Sequence, residues 1–464
     1  MKSMNRVYAA AVLALVVISS SGANVVLTLA EAEGATVENS FTARKQQYQS
    51  KAVEWGRRGS IAAYLPSVDY NFTYLRMDES TVGRANAAFD GIESLFESLG
   101  PLLGAAPGDG FSENPNRLFE NSFSHEVALS QPLFNGGIEI VSSRLANVNR
   151  RAVHYQQRSD LQRAVLETRR AYLDAVTASQ MVALSEESLG WTRKNLNNVS
   201  IRFENGGVPE TDLLQWKIEL ATRKNDLKMA QTAKQSLLLS LYHSMGYNSR
   251  KANGDVMLLD MDYFENLHRQ NPAKSATDYN VNNNPALLMM SAYSEVAQES
   301  RGVARAQYLP KVNAFFSYKW DAWDRLRPHE TNRGWSAGAV ATVPLFSGFR
   351  STTNYQKTKY EHLETVVSTD ELKNQLENSL KTVLWHYEAL QFRMATSNKK
   401  IELMERQLEL MQKRYDGGLV NQSQLLEVEL GLRQAQIAYT QELMSSIITK
   451  AEIELITGNL ENMQ

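Results

Sequence analysis

The sequence predicts a mainly α chain with membrane β-structure: a two-repeat subunit giving four β-strands and long coiled-coil helices. Three observations lead there. A set of short motifs occurs twice at one constant spacing. Each copy opens with alternating residues of strand character and then changes to a helical period. Beyond the N-terminus no eighteen apolar residues run together, so any membrane crossing must use strands of a closed barrel.

At 464 residues the chain has room for two or three ordinary domains. Its formal net charge is only -2, with no basic excess to hold a phosphate backbone, which argues against nucleic acid as a partner. Cysteine is absent, which excludes a disulfide framework, a thiolate metal site, a cysteine nucleophile and a lipidated N-terminal cysteine. Lys2 and Arg6 precede an apolar run at 7–18, followed by Ser19, Ser20, Ser21, Gly22 and Ala23. That order describes a secretory signal peptide over 1–23, cleaved near Gly22 or Ala23. The alternative is a retained anchor helix, for which the run is short.

The duplication is read residue by residue. Tyr64-Leu65-Pro66 returns as Tyr308-Leu309-Pro310, and Pro132-Leu133-Phe134-Asn135-Gly136 as Pro344-Leu345-Phe346-Ser347-Gly348. Arg202-Phe203-Glu204-Asn205-Gly206 returns as Arg414-Tyr415-Asp416-Gly417-Gly418, Leu213-Leu214 as Leu425-Leu426, and Met245-Gly246 as Thr457-Gly458. From Pro132 onward every pair is 212 residues apart, whereas the YLP pair is 244 apart. The first copy therefore carries about 32 extra residues between its YLP and PLF motifs. This sets the organisation: a first repeat over 24–246 (helix, β-hairpin, long helix, helix), a linker rich in Asp and Asn over 247–281, and a second repeat over 282–464.

Each element has its own reason. A helix from about residue 29 to 63 opens the first copy, and one from about 284 to 307 opens the second. After YLP, Val68, Tyr70, Phe72 and Tyr74 alternate with polar residues, as do Val312, Ala314, Phe316 and Tyr318. A second alternating run precedes each PLF, at 123–129 and 336–343, so each copy holds a hairpin. The loops joining the strands are unequal, 77–121 against 321–333, and within the longer one 87–103 is apolar enough for a short helix. After PLF the period becomes helical. Thr168, Ala175, Val182, Leu189, Leu196 and Val199 lie on one seam, matched by Leu380, Tyr387, Met394, Ile401, Leu408 and Met411. Leu403 and Leu410 add a second stripe, which suits a helix packed on two sides. The helix from about 137 to 204 would be roughly 100 Å long at ~1.5 Å per residue. It stops at Asn205-Gly206-Gly207, and a shorter helix restarts near Pro209 and runs to about Met245. Two short helices stacked end to end then match one long helix.

Four strands cannot close a membrane barrel, which takes at least about eight. The chain must therefore oligomerise if it spans a membrane, two copies giving eight strands and three giving twelve. At this point the residues resemble the TolC-like outer-membrane factors. The resemblance covers nearly the whole mature chain and rests on motifs found in order and duplicated. They are Leu27-Thr28-Leu29-Ala30-Glu31-Ala32, the two YLP and PLF motifs, the R-[FY]-x-x-G turns followed by Leu-Leu, and Thr457-Gly458. It implies a homotrimeric α/β-barrel channel in outer-membrane lipid with a long periplasmic extension. It also implies a periplasmic membrane-fusion adaptor and an inner-membrane pump of RND or ABC type as partners. Adaptor and pump set the cargo in such systems. No enzyme activity and no cofactor or metal is implied.

The resemblance also points to site residues. Acidic residues six and nine positions past the glycine of the second R-[FY]-x-x-G turn narrow the periplasmic end of such channels. Counting from Gly418 gives Gln424, a departure from the acidic pattern, and Glu427, with Asp212 as the first-repeat equivalent of Gln424. Three Glu427 carboxylates around an axis would favour cations; the alternative is that all three positions are ordinary solvated helix surface. Gly206, Gly207, Val208, Gly417, Gly418 and Leu419 form the expected adaptor-docking tips, the alternative being plain helix stops. Arg202 and Arg414 are expected to tie each tip to a neighbouring helix, or else to be solvated. The seven histidines are scattered without ligand spacing, and the fifteen methionines follow the helix seams. The competing function is a periplasmic coiled-coil scaffold without a pore, against which the paired alternating runs argue.

Overall fold

A computed structural model describes residues 26–99, 118–248, 257–270, 279–323 and 333–460. In chain order the described elements are β1 (Val26–Leu27), α1 (Leu29–Asn39), α2 (Phe41–Ala62), β2 (Ser67–Arg76), α3 (Glu79–Leu99), β3 (Asn121–Asn135), α4 (Ile138–Glu204) and α5 (Glu210–Ser244). They continue as β4 (Met257–Leu258), α6 (Met261–Gln270), α7 (Pro285–Ala306), β5 (Lys311–Trp323), β6 (Arg333–Thr342), α8 (Arg350–Asp416) and α9 (Gln422–Ile456). The chain forms two compact units, and each takes in residues of both repeats. One comprises residues 54–149 and 295–364, and the other residues 1–53, 150–294 and 365–464. The expected signal peptide lies outside the described residues. The duplication is visible in the lengths: α4 and α8 are both 67 residues, α5 and α9 both 35.

The first unit holds one antiparallel sheet in the order β2-β3-β5-β6. Each repeat supplies a hairpin, and the two hairpins meet where β3 pairs with β5. A register shift at Pro132/Phe134 falls on the first PLF motif; proline cannot donate to the ladder, so a bulge is its natural place in a strand. Just beyond, Gly137 and Phe349 occupy equivalent places and both have positive φ, 73° and 62°. The helix expected over 87–103 is longer and begins earlier, at Glu79. Asp78 starts it, its carboxylate accepting hydrogen bonds from the Thr81 amide (3.1 Å) and the Ser80 and Thr81 hydroxyls (each 2.5 Å). In the same unit the Arg301 and Arg305 guanidiniums both donate to the Tyr355 hydroxyl at 3.3 Å.

The second unit is a helical bundle. Its largest core gathers Leu29, Tyr172, Leu173, Val176, Leu241, Met245, Phe264, Met394, Leu443 and Ile447. The described part of the expected linker carries β4 and α6. β4 pairs in parallel with β1, and the fully buried Phe264 anchors α6 in the core. The buried Tyr172 hydroxyl donates to Leu27 O at 2.6 Å and accepts from the Leu259 amide at 3.2 Å, so one phenol ties β1 to the residue that follows β4. Burial pushes that phenol up to about 12. Beside it, Arg169 and Glu33 are both fully buried and paired at 2.5 Å, and Glu454 approaches Arg169 at 3.6 Å.

The single helix expected over 29–63 is broken at Ser40, and the break explains the stacking of short helices. Ser40 is extended (ψ 155°) and its hydroxyl accepts from the Ala43 amide at 3.1 Å, starting α2. The C-terminus of α5 meets that start directly. Gly246 has φ 80°, and a Cβ there would stand 2.3 Å from Asn39 O. The Arg44 side chain bridges the junction, donating to Asn39 O and Gly246 O, each at 3.0 Å. The second copy repeats this at its own offset: a Cβ on Gly458 (φ 74°) would stand 2.2 Å from Asn283 O, and Asn284 Nδ2 donates to Ile456 O at 2.9 Å.

Two outcomes are expected. Gly246→Ala combines a left-handed backbone with a backbone overlap and should cost about 3 kcal/mol or more. Gly418→Ala, with the same backbone sign but no atom within 4 Å of its Cβ, should cost only about 1 kcal/mol; chemical denaturation of the two variants compares them. Hydrogen bonds from Arg305 and then Arg301 hold the Tyr355 phenol down at about 8. A folded value below the ordinary value of about 10 gives stability present above pH ~10 and lost as pH falls through about 8. A tyrosinate absorbance step near pH 8, absent in Tyr355→Phe, is the expected reading.

Candidate functional site

The two faces of the sheet differ chemically. Along the register, Phe72, His125 and Trp320 lie side by side, as do Tyr74 with Phe123 and Leu129 with Phe316. On that face His125 stacks on Trp320 with ring centroids 5.4 Å apart, and its Nδ1 lies 2.8 Å from the Tyr70 hydroxyl. The opposite face carries Asn71, Glu126 and Lys319 in one row. There Ser317 Oγ donates to Glu126 Oε1 at 2.5 Å, and Lys319 pairs with Asp321 at 3.5 Å. Phe315 and Trp323 share the side of Lys319, so the two faces are mainly aromatic and mainly polar over β2, β3 and β5, the contrast a barrel wall between lipid and water requires. Among the described residues of one chain β2 and β6 each have one paired neighbour, so both edges of the sheet are open.

The helix ends 204–210 and 416–422 form the second candidate region. Both turns close alike. Gly206 and Gly418 have φ 73°; Gly207 N–H donates to Arg202 O at 2.7 Å, and Leu419 N–H to Arg414 O at 2.9 Å. Gly206, Gly207, Gly417 and Gly418 are exposed, and Leu419 is 78% exposed. Val208 is instead half-buried and packs, with Val420, on a core of Val199, Leu213, Trp216, Tyr415 and Leu425. Trp216 Nε1 donates to the Tyr415 hydroxyl at 3.1 Å. Burial raises the Tyr415 phenol above its ordinary value, against the opposing hydrogen bond from Trp216. Among the described residues neither Arg202 nor Arg414 enters an ion pair.

The three candidate gate positions behave differently. Gln424 is the third residue of α9 and completes a capping box: its carboxamide oxygen accepts from the Asn421 amide at 3.1 Å, and Asn421 Oδ1 accepts from the Gln424 amide at 2.9 Å. Asp212 holds the same place in α5, whose cap is Pro209 and whose first turn is acidic. Glu427 is exposed. Two residues further on, Glu429 is buried to 1% exposure and binds Arg223 (3.2 Å), Arg433 (3.3 Å) and the Ser188 hydroxyl (2.8 Å). Arg433 continues to Glu187 at 3.1 Å, so α4, α5 and α9 share one charged cluster. Sequence reading missed this cluster and Trp216; the i,i+4 spacing of Glu429 and Arg433 was the available signal. Among the described residues no group of three metal-binding side chains occurs.

A four-stranded sheet with one aromatic and one polar face, on a chain of 67- and 35-residue helices, defines a subunit of an α/β-barrel membrane channel. The model of the outer membrane efflux protein family matches residues 62–247 and 280–459. The chain belongs to that family, and with it to efflux channels of the outer membrane. Solved structures share the fold at low identity. The CmeC outer membrane channel of Campylobacter jejuni is 15% identical, with a TM-score of 0.72 over 93% of this chain and 86% of that one. The outer membrane protein VceC of Vibrio cholerae is 15% identical, with a TM-score of 0.70 over 93% and 97%. The open state of the Neisseria gonorrhoeae MtrE outer membrane channel is 15% identical, with a TM-score of 0.70 over 94% and 90%. Among curated proteins none matches the chain by sequence.

Removing the central carboxylate of the charged cluster leaves Arg223 with Glu219 (2.7 Å) and Arg433 with Glu187 (3.1 Å). Glu429→Gln should therefore destabilise the protein only moderately, by about 1–2 kcal/mol, read as a fall in thermal midpoint in detergent. An unchanged midpoint would show that the outer carboxylates compensate both guanidiniums fully.

Proposed function

We propose that the chain is the outer-membrane subunit of a tripartite efflux or type I secretion system, a passive duct working with a periplasmic adaptor and an inner-membrane RND or ABC pump. Three copies would close a twelve-stranded barrel, β6 of one chain pairing with β2 of the next, and the helices would form a periplasmic tunnel. The observation that carries this reading is the two-faced sheet with two open edges: inside lipid those edges need partners, and identical chains supply them. Apolar residues left exposed on α8, Trp385, Phe392, Leu403 and Leu410, supply a second surface for neighbours. In this reading residues 1–23 direct export and are removed. In outer-membrane fractions the protein should run on unboiled gels as an oligomer that collapses to a monomer on heating. A soluble periplasmic monomer would overturn the reading and favour the poreless scaffold.

Within this duct we place the periplasmic gate at the helix tips. Glu427 is the charged second-repeat member of the gate, its three carboxylates forming a ring that attracts cations. Gln424, engaged in capping, and Asp212 flank it. Exposed Gly206, Gly207, Gly417, Gly418 and Leu419 offer the adaptor contact, with Val208 bracing the turn from inside; Arg202 and Arg414 close the turns through their carbonyls. Glu427→Gln should lower cation selectivity in single-channel recordings without disturbing the oligomer. Unchanged selectivity sinks the ring.

A further inference from the structure

The insertion that distinguishes the first repeat contains α3, a 21-residue helix longer than the whole stretch joining β5 to β6 in the second copy. Its sequence carries a strict seam: Val82, Ala85, Phe89, Ile92, Phe96 and Leu99 follow one another at alternating steps of three and four. That 3.5-residue spacing is the pattern of helix-to-helix packing rather than of a broad face laid on a sheet. At the start of the helix Val82 is buried, while further along Ile92, Leu95 and Leu99 are 54%, 60% and 42% exposed. Gly83 and Gly91 stand off the seam and each weaken an unsupported helix by about 1 kcal/mol relative to alanine. A helix of this composition depends on packing along its apolar side.

The base of α3 is fixed. Met77 N–H donates to Glu120 O at 2.9 Å, extending the β2/β3 ladder to the foot of the helix, where Asp78 caps it. Asn86 clamps the returning chain, its side chain exchanging hydrogen bonds with the Leu118 amide (3.0 Å) and carbonyl (2.9 Å). The helix thus rises from the hairpin end of the sheet, the end opposite the PLF motifs. Its charges are Glu79, Arg84, Asp90, Glu93 and Glu97, four acids against one base. An amphipathic helix that lies on anionic lipid carries a basic polar side, so this one is mismatched to a membrane surface.

We propose that in the assembled channel the three copies of α3 pack through this seam into a bundle on the pore axis, constricting the outer mouth of the barrel. The proposal rests on the trimeric reading above, and its partner is the same helix from two further copies of this chain. The dimensions allow it. Twelve strands spaced about 4.8 Å apart and tilted about 40° give a barrel radius of roughly 12 Å. A helix of 21 residues is roughly 31 Å long, more than enough to reach the axis from the wall. One such helix per chain gives three, the number the symmetry places around that axis. The acidic residues fall off the apolar seam.

The absence of native cysteine makes the test direct. Single substitutions Ile92→Cys and Leu99→Cys on the seam, and Ser94→Cys and Ser98→Cys off it, are introduced into the full-length protein and oxidised in isolated outer membranes. The seam positions should shift the denatured band from monomer to disulfide-linked dimer, two of three chains joining across the axis, and the serine positions should not. No dimer at either seam position while the unboiled oligomer persists overturns the bundle alone. Equal yields at all four positions do the same. Failure of the parent chain to form any oligomer overturns the trimeric reading and the bundle with it. As a second measurement, Ile92→Asp with Leu99→Asp should keep the oligomer and raise single-channel conductance several-fold. Unchanged conductance in an intact oligomer would show that α3 does not narrow the mouth.

Discussion

Hydrocarbon offers no hydrogen bonds, so every main-chain N–H and C=O inside a bilayer must find a partner in protein. In this chain the requirement is met inside the sheet and left open at its edges, because β2 and β6 are each paired on one side. The aromatic face, with Tyr70, Phe72, His125 and Trp320 in contact across strands, suits lipid only if those edges are closed. The row of Asn71, Glu126 and Lys319 on the other face suits water only if a lumen lies there. One unmet requirement, at two strand edges, makes the chain a part rather than a whole.

The duplication solves a related problem in the helical unit. A short helix leaves its last carbonyls without partners, and here two short helices meet at each such end. The glycine that turns α5 also gives up its side chain so that Asn39 can approach, and the glycine that ends α9 does so for Asn283. The two contacts obey the two spacings seen in the sequence, 212 for the glycines and 244 for their partners. The offset is therefore structural: it records which helix end docks on which helix start. The buried Arg169–Glu33 pair and the Tyr172 hydroxyl sit beside these junctions, in the same unit, where long-range polar contacts fix the bundle's register.

Much of the fold was legible because its signals are local. The strand alternation at Val68, Tyr70, Phe72 and Tyr74 and the seam from Thr168 to Val199 needed no knowledge of partners. The constant offset then gave the second copy. What escaped depends on contacts distant in sequence. At Ser40 the only local mark is the serine that caps α2, and what it accommodates, the close approach of Gly246, lies two hundred residues away. Phe264 lies in a polar stretch and is explained only by the core it enters. At the tips, Glu429 looked like any helix acid until Arg223, from another helix, was found against it. Glu427 was singled out by counting along a family pattern, and the fold itself shows only that it is exposed.

The departure at Gln424 has a physical reading in the cap of α9. Pro209 and Asn421 are equivalent, as are Asp212 and Gln424. In the first copy the proline offers no side-chain cap, and an acid in the first turn interacts favourably with the positive end of the helix dipole. In the second copy Asn421 and Gln424 satisfy each other's backbone amides, so charge is not needed to start the helix. Replacing acid by amide at that place costs the fold little while removing a negative charge from each chain. The exposed Glu427, one turn further along, is left to supply the charge at this end of the helix. Under the proposed gate, capping and selectivity, which an acid at position 424 would have served together, would be divided between Gln424 and Glu427.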